Sequence, residues 1–199
     1  MKQQNILIIF AKNPVKGNVK TRLAATVGAE KAFEVYKELL AYTKATAQNT
    51  AADKIVYYSD KVELHDIWDE RFLKAVQQGA DLGERMTHAF QCMFQQGYTK
   101  AVIIGTDCPS LDGRIIADAY KQLDTNDIVI GPAFDGGYYL LGMKKLYTKL
   151  FEGKKWGTQF VFEKTIATCT HLNLRYIVLP VLHDIDEEKD LAHIITAQP

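Results

Sequence analysis

Asn5-Ile6-Leu7-Ile8-Ile9-Phe10 is almost unbroken in its apolar character and runs directly into Ala11-Lys12-Asn13-Pro14. Strict alternation would signal a strand with one wet face; a continuous apolar run signals a strand buried on both faces, as in a parallel sheet. The segments that follow keep this rhythm. Ala32, Phe33, Tyr36, Leu39 and Leu40 recur at helical spacing and predict an amphipathic helix over about 30–48. Strand-like runs at 54–58, more weakly at 72–76, and at 101–105 alternate with helical spacing at Leu82, Met86, Ala89, Phe90 and Met93, and again near 113–123. Two strand-like runs then follow one another, 127–131 and 138–143, with no helix between them. One antiparallel strand in an otherwise parallel sheet accounts for that break. Phe162, Ile166 and Cys169 predict a helix before a strand at 174–179, and 187–195 reads as a closing helix. The expected fold class is α/β, three layers α/β/α, around a mixed and mostly parallel sheet.

Composition narrows the partners. The chain has 199 residues, 24 Lys+Arg against 24 Asp+Glu, 47% hydrophobic and 24% charged residues. A single domain over 1–199 is expected, since no repeat, low-complexity tract or linker divides the chain, and a chain of this length buries roughly 70% of its unfolded surface. The zero net charge gives no support for bulk nucleic-acid binding. The longest apolar run is far short of the roughly 20 residues that span a bilayer. It lies too near the start, without an adequate leader, for a secretory signal, so a cytoplasmic location is expected. Cys92, Cys108 and Cys169 form no CxxC pair, which indicates neither a disulfide framework nor a zinc cluster.

In open α/β sheets ligands bind beyond the carboxyl ends of the strands, so chemistry is sought just after each apolar run. After the first come Lys12, Pro14, Lys16, Gly17, Lys20, Thr21 and Arg22. This loop suits phosphate oxygens, by backbone N–H groups and by charge, and equally reads as a solvated basic loop. It lacks the glycines of a P-loop and is not GxGxxG. Gly79, Asp81, Gly83 and Arg85 follow the third run. Asp81 and Glu84 have capping-box spacing, which outweighs a ligand role; Gly83 is less easily explained unless the backbone must approach a base or ribose closely. Gly105-Thr106-Asp107-Cys108-Pro109 ends a fully apolar strand and places a carboxylate at the ligand-binding edge, where Mg²⁺ takes one or two protein oxygens. A lone Asp there is otherwise a helix cap. Asp184-Ile185-Asp186 supplies a second strand-end pair of acids, although Glu187, Glu188 and Asp190 make it resemble the acidic start of a helix. Asp135-Gly136-Gly137-Tyr138 is a hairpin-turn signal. Trp156 reads as core or as a sugar-stacking surface, and Thr158 as an N-cap. His183 reads as structural or solvent-facing, and Asp107 beside Cys108 disfavours a thiolate. Asp135 and Asp184 are the candidates for a general base.

Taken in order, Phe10-Ala11-Lys12-Asn13-Pro14, Gly17, Lys20-Thr21-Arg22-Leu23, Gln78-Gly79, Asp81-Leu82-Gly83-Glu84-Arg85, Gly105-Thr106-Asp107-Cys108-Pro109, Asp135-Gly136-Gly137-Tyr138, Asp184-Ile185-Asp186 and Asp190-Leu191 resemble a bacterial family of largely uncharacterised, glycosyltransferase-like proteins. That family is similar to 2-phospho-lactate guanylyltransferase and, more distantly, to molybdenum-cofactor and sugar nucleotidyltransferases. The resemblance implies a nucleotide-diphospho-sugar transferase (GT-A, Rossmann-like) fold. It implies Mg²⁺ or Mn²⁺ held by Asp107 and Asp186, the latter matching the metal Asp of a late cytidylyltransferase stretch. Glu187-Glu188 stands where that stretch has Thr-Pro, which bears on the local turn. The nucleotide contacts it implies are Ala11, Lys12, Lys16, Gly17, Lys20, Arg22, Gly79, Asp81, Gly83, Arg85, Thr106 and Asp107, with Asp107, Lys20 and Arg22 acting in catalysis. Asp135, Gly136, Gly137, Tyr138 and Trp156 border the acceptor. The expected function is a metal-dependent transferase with a nucleotide or nucleotide-sugar substrate and a small-molecule acceptor. Glycosyl transfer stands ahead of nucleotidyl transfer, and a non-catalytic nucleotide-binding module is the reading from another class.

Overall fold

The computed structural model describes residues 4–195. At its centre lies β1 (Asn5–Ala11), which is hydrogen-bonded in parallel to β2 (Asp53–Tyr58) on one side and β4 (Lys100–Ile104) on the other. The continuous apolar run exists because both faces of this strand are covered. Leu7 and Ile9 point into one core and Ile6 and Ile8 into another, all fully buried. β3 (Phe72–Val76) extends the sheet parallel to β2. Beyond β4 the order is β6 (Tyr138–Met143), β5 (Ile128–Pro132) and β7 (Tyr176–Val178), giving a seven-stranded sheet ordered β3-β2-β1-β4-β6-β5-β7. β6 runs antiparallel to both its neighbours, whereas β5 and β7 pair in parallel. The two helix-free runs of the sequence are therefore the hairpin β5–β6, and its turn emerges at the carboxyl edge of the parallel strands.

Helices α2 (Ala29–Gln48) and α4 (Gly113–Gln122) cover one face, burying Tyr36, Leu40, Ile116 and Ala119 against Leu7, Ile9, Val102 and Ile104. Helices α3 (Leu82–Gln95) and α5 (Val161–His171) cover the other, where Met86, Phe90, Met93 and Cys169 meet Ile6, Ile8, Ile103 and Leu141. The result is three layers. A third, smaller apolar cluster joins Leu23 of α1 (Thr21–Val27), Val35 and Leu39 of α2, and Ile185 and Ile194 of the tail. This cluster carries the tail back across the molecule to the region where β1 ends.

Several expectations from the sequence are revised. The short helix α1 was not foreseen. The strand expected over 174–179 is confined to Tyr176–Val178 at the sheet edge. The closing helix divides into a 3-10 turn at Glu188–Leu191 and α6 (Ala192–Ile195). Thr158 is not the cap of α5, whose N-cap is Phe160; the Thr158 hydroxyl instead donates to the Lys155 carbonyl. Among the described residues no helix is long and apolar enough to cross a membrane.

Phe90 is fully buried at the junction of α3 with the sheet. Phe90→Ala is expected to lower unfolding stability by about 3–5 kcal/mol in a urea titration, the usual cost of an aromatic truncation that leaves a cavity. A loss below about 1 kcal/mol would contradict the packing described.

Candidate functional site

The parallel strands deliver their loops to one edge, and those loops enclose a crevice of about 610 Å³. From the end of β1 it receives Phe10, Ala11 and Lys12, and from the start of α1 Lys20, Thr21 and Arg22. Thr106 and Asp107 arrive after β4, Asp135 and Tyr138 from the β5–β6 turn, Leu82 and Arg85 from α3, and Asp184 and Asp186 from the tail. Cations Lys12, Lys20, Arg22 and Arg85 thus share one cavity with carboxylates Asp107, Asp135, Asp184 and Asp186.

Lys20 is the pivot of this arrangement. Its backbone lies in the left-handed region (φ 49°) immediately before α1, a conformation that costs a side-chain-bearing residue roughly 1–2 kcal/mol. The side chain turns inward until only 4% of it is exposed. The ammonium donates to the Ile185 carbonyl at 2.6 Å and to Asp186 Oδ1 at 3.3 Å, and stands 2.5 Å from Asp107 Oδ1. Three oxygens thereby satisfy the three N–H donors. Burial alone pulls the Lys20 pKa down; Asp107 and then Asp186 overcome it, leaving the pKa above its ordinary value. On the other oxygen of Asp186, Arg22 approaches to 3.7 Å.

The two acids meet because the Ile185 amide donates to the Asp107 carbonyl at 2.9 Å, pinning the tail beside the loop after β4. Ile185 is fully buried in the third cluster, so the tail is anchored on both sides of the acids. The Glu187-Glu188 departure leaves the turn intact. Glu187 caps the 3-10 turn, and the Asp190 carboxylate accepts from the amides of Asp186 (3.0 Å) and Glu187 (2.8 Å) in a reciprocal capping box. Asp190 thus positions Asp186. Burial and the neighbouring Asp107, Asp135 and Asp186 push the Asp184 carboxyl up to about 7. Burial and Asp184 push the Cys108 thiol up to about 12, so it stays protonated at neutral pH.

The first loop is held by a buried Asn13. Its side chain donates to the Lys61 carbonyl (2.7 Å) and Glu63 (2.9 Å) and accepts from the Asp60 amide (2.9 Å). Tyr36 of α2 donates to the Lys12 carbonyl at 2.8 Å. These bonds fix the cationic loop from both flanks.

Not every residue expected at the nucleotide lies in the crevice. Lys16 pairs with Glu30 at the surface, and Gly17 occupies an open turn with φ 87°. Gly79 and Asp81 line a neighbouring surface cleft. The Asp81 carboxylate accepts from the Glu84 amide at 2.9 Å as the cap of α3. Packing accounts for Gly83: a Cβ there would lie 2.7 Å from the Trp156 ring and 2.9 Å from the Phe151 carbonyl. Trp156 in turn meets Tyr138 edge-on, at 6.5 Å between centroids. Gly136 (φ 88°) is required where a Cβ would strike the Gln159 carbonyl. Gly137 donates to Asp135 at 2.8 Å, closing the turn. Asp135, Gly137, Tyr138, Trp156 and Asp184 also line a side cavity of about 170 Å³ that opens beside the crevice. His183 stacks between Phe134 and His193.

Three lining residues, Tyr36, Ser59 and Gln77, belong to none of the motifs singled out in the sequence. Ser59 and Gln77 follow β2 and β3 directly, and that position is the one signal by which they were discoverable. Tyr36 sits in the apolar stripe of α2 and reads as core.

Among the described residues no group of three His, Cys, Asp or Glu side chains stands close enough to cage a metal unaided. The donor set nevertheless suits a hard divalent ion. Asp107 and Asp186 share the ammonium of Lys20, and Mg²⁺ normally takes only one or two carboxylates while substrate phosphates and water complete its shell.

Comparison with known proteins agrees with this architecture. Residues 37–158 match the family DUF2064, described as an uncharacterized protein conserved in bacteria. A crystal structure from Desulfovibrio desulfuricans G20, provisionally named a nucleotide-diphospho-sugar transferase, is 34% identical. It superposes with a TM-score of 0.88 over 96% of this chain and 85% of its own. The inositol-1-phosphate CTP transferase of T. maritima (14% identity, TM-score 0.59, 96% and 95% covered) shares the fold. So does a homolog of Mycobacterium tuberculosis Rv0371c from Mycobacterium sp. strain JC1 (16%, 0.62, 100% and 100%). No curated protein matches the sequence.

The raised Asp184 carboxyl has a consequence for stability. Between its unfolded value near 4 and its folded value near 7, the native state binds the extra proton, so this group lowers stability as pH rises through that window. In metal-free buffer Asp184→Asn is expected to melt at least about 2 °C above the wild type at pH 8, a shift worth about 1 kcal/mol in a chain of this size. The gap narrows at pH 5. An equal gap at both pH values would contradict the crowding of these carboxylates.

Proposed function

The chain belongs to the DUF2064 family, and on that footing we propose that it is a transferase acting on a nucleotide in the crevice at the carboxyl edge of the sheet, moving a glycosyl group from a nucleoside-diphosphate sugar to a small acceptor. The observation that carries the proposal is the meeting of Lys20, Arg22, Asp107 and Asp186 around one point of the crevice. The provisional name of the 34% identical Desulfovibrio protein supports the glycosyl chemistry.

In this reading Lys12, Arg22 and Arg85 neutralise the nucleotide's phosphates from the rim, while Ser59 and Gln77 form wall, the Ser59 hydroxyl bonded to Asn13 and the Gln77 amide to the Tyr57 carbonyl. Asp107 and Asp186 hold Mg²⁺ or Mn²⁺, which supplies charge neutralisation on the departing diphosphate. Charge developing on the leaving group is met by these cations. The side cavity bordered by Asp135, Tyr138 and Trp156 receives the acceptor. Asp135 and Asp184 line both cavities and are the carboxylates placed to take the acceptor's hydroxyl proton. The acceptor oxygen then bonds to the sugar's anomeric carbon as the nucleoside diphosphate leaves.

A second reading, nucleotidyl transfer with release of pyrophosphate, is favoured by one feature. The several cations close to the end of β1 suit a triphosphate as well as a diphosphate.

A panel of nucleoside triphosphates and nucleotide sugars, tested for thermal stabilisation with Mg²⁺ or Mn²⁺, identifies the ligand. At a concentration one hundred times the Kd the expected gain is about 2.7 kcal/mol. Product analysis then separates the readings: nucleoside diphosphate supports glycosyl transfer, pyrophosphate the alternative. Asp107→Asn is expected to abolish metal-dependent turnover while leaving the circular-dichroism spectrum unchanged. Full activity in that variant would remove Asp107 from the site.

A further inference from the structure

We propose that Lys20 is a resident counter-ion, holding the seat between Asp107 and Asp186 until a divalent cation enters and displaces it toward the nucleotide's phosphates. The incoming ligands are those of the transferase reading above, and the exchange itself rests on the geometry of Lys20.

The exchange puts the ion on the carboxylates that now hold the ammonium. Asp107 Oδ1 and Asp186 Oδ1 are the atoms that the ammonium contacts, at 2.5 and 3.3 Å. A hard ion bound to either oxygen competes with the ammonium for the same lone pairs. The two cations reach those oxygens from different sides. The Lys20 side chain comes from the protein interior, 4% exposed, whereas Asp107 and Asp186 are 46% and 39% exposed toward the crevice. An ion from solvent therefore meets the acids without passing Lys20.

Charge favours the exchange as well. Asp107, Asp135, Asp184 and Asp186 line one crevice, and Lys20 is the cation held directly between two of them. A doubly charged ion neutralises this group better than a single ammonium. Once displaced, Lys20 keeps its place on the crevice wall beside Thr21 and Arg22, within the cationic rim assigned to the phosphates. The exchange predicts coupling. Without nucleotide, the metal must evict Lys20 with nothing to receive it; with nucleotide, the phosphates take the ammonium as it leaves. By linkage, metal strengthens nucleotide binding by the same factor.

The test is a titration of the full chain with Mn²⁺, following free Mn²⁺ by electron paramagnetic resonance, for wild type, Lys20→Met and Asp107→Asn. Lys20→Met is expected to bind Mn²⁺ at least 10-fold more tightly than wild type in the absence of nucleotide. Asp107→Asn is expected to bind at least 10-fold more weakly. Adding a nucleoside diphosphate (ADP, GDP, CDP and UDP in turn) is expected, for at least one of them, to raise wild-type affinity at least 10-fold and that of Lys20→Met less than 3-fold. Unchanged or weaker binding by Lys20→Met, with nucleotide-dependent binding intact in wild type, overturns the exchange and leaves the metal site standing. Absence of Mn²⁺ binding in every form, with nucleotide or without, overturns the metal site and the exchange together. Should Lys20→Met not fold, the wild type carries the test through the ¹⁵N signal of its buried lysine ammonium. Saturating Mg²⁺ is expected to shift that signal and speed its exchange with water; an unmoved signal overturns the exchange.

Discussion

A lysine ammonium removed from water is tolerated only where anions receive it, and in this molecule the receiving groups come from segments distant in sequence. Lys20 finds Asp107 from the loop after β4, and Asp186 and the Ile185 carbonyl from the tail. Taking such a charge out of water costs several kcal/mol, and neighbouring acids recover that cost only when geometry is good and the remaining donors are satisfied. Here all three N–H groups have an oxygen. The arrangement consequently fixes where the tail lies against the sheet edge. The energy that holds the tail there comes from elsewhere, from Ile185 and Ile194 buried against Leu23, Val35 and Leu39. Apolar burial supplies the affinity of tail for body, and the ion cluster selects the register.

The fold prepares this meeting in a simple way. A sheet buried on both faces is covered by helices on each side, and its parallel strands send their loops to one edge. β6 interrupts the pattern without spoiling it, since the β5–β6 turn also opens at that edge and brings Asp135 and Tyr138 to the crevice. Charged groups of both signs collect where backbone ends and helices begin. Asn13 and Tyr36 then hold the first loop from opposite flanks, so that Lys12 and Lys20 reach the crevice while Lys16 stays at the surface. The site is a product of topology first and of side-chain chemistry second.

How far the sequence disclosed this depends on the range of each interaction. β1 and β4 were legible because a continuous apolar run leaves a strand little choice of environment. Asp107 was legible because it follows such a run directly. The helix α1 was not, since Thr21–Val27 is short and its left-handed Lys20 cap makes no side-chain hydrogen bond to announce it. The strand at 174–179 contracted to Tyr176–Val178, although the chain keeps to β5 beyond it, with Leu179 donating to the Ile130 carbonyl and Leu182 bridging Ala133 on the far side of Pro180. Gly83 invited a ligand explanation because its actual partner, Trp156, lies far along the chain and becomes a neighbour only after folding. The Glu187-Glu188 departure suggested a disturbed turn, yet Glu187 and Asp190 cap it reciprocally, using the very acids that made the stretch hard to read. Local signals were readable; contacts between distant segments were not.

A double-mutant cycle between Lys20 and Asp107 tests the central ion cluster most directly. Lys20→Met, Asp107→Asn and the double variant would be unfolded in urea without metal. The account predicts that the two substitutions are non-additive by at least about 1 kcal/mol, as for residues in contact, with the double variant less damaged than the sum of the singles. Additivity within about 0.5 kcal/mol would contradict it, because the two side chains would then be acting independently.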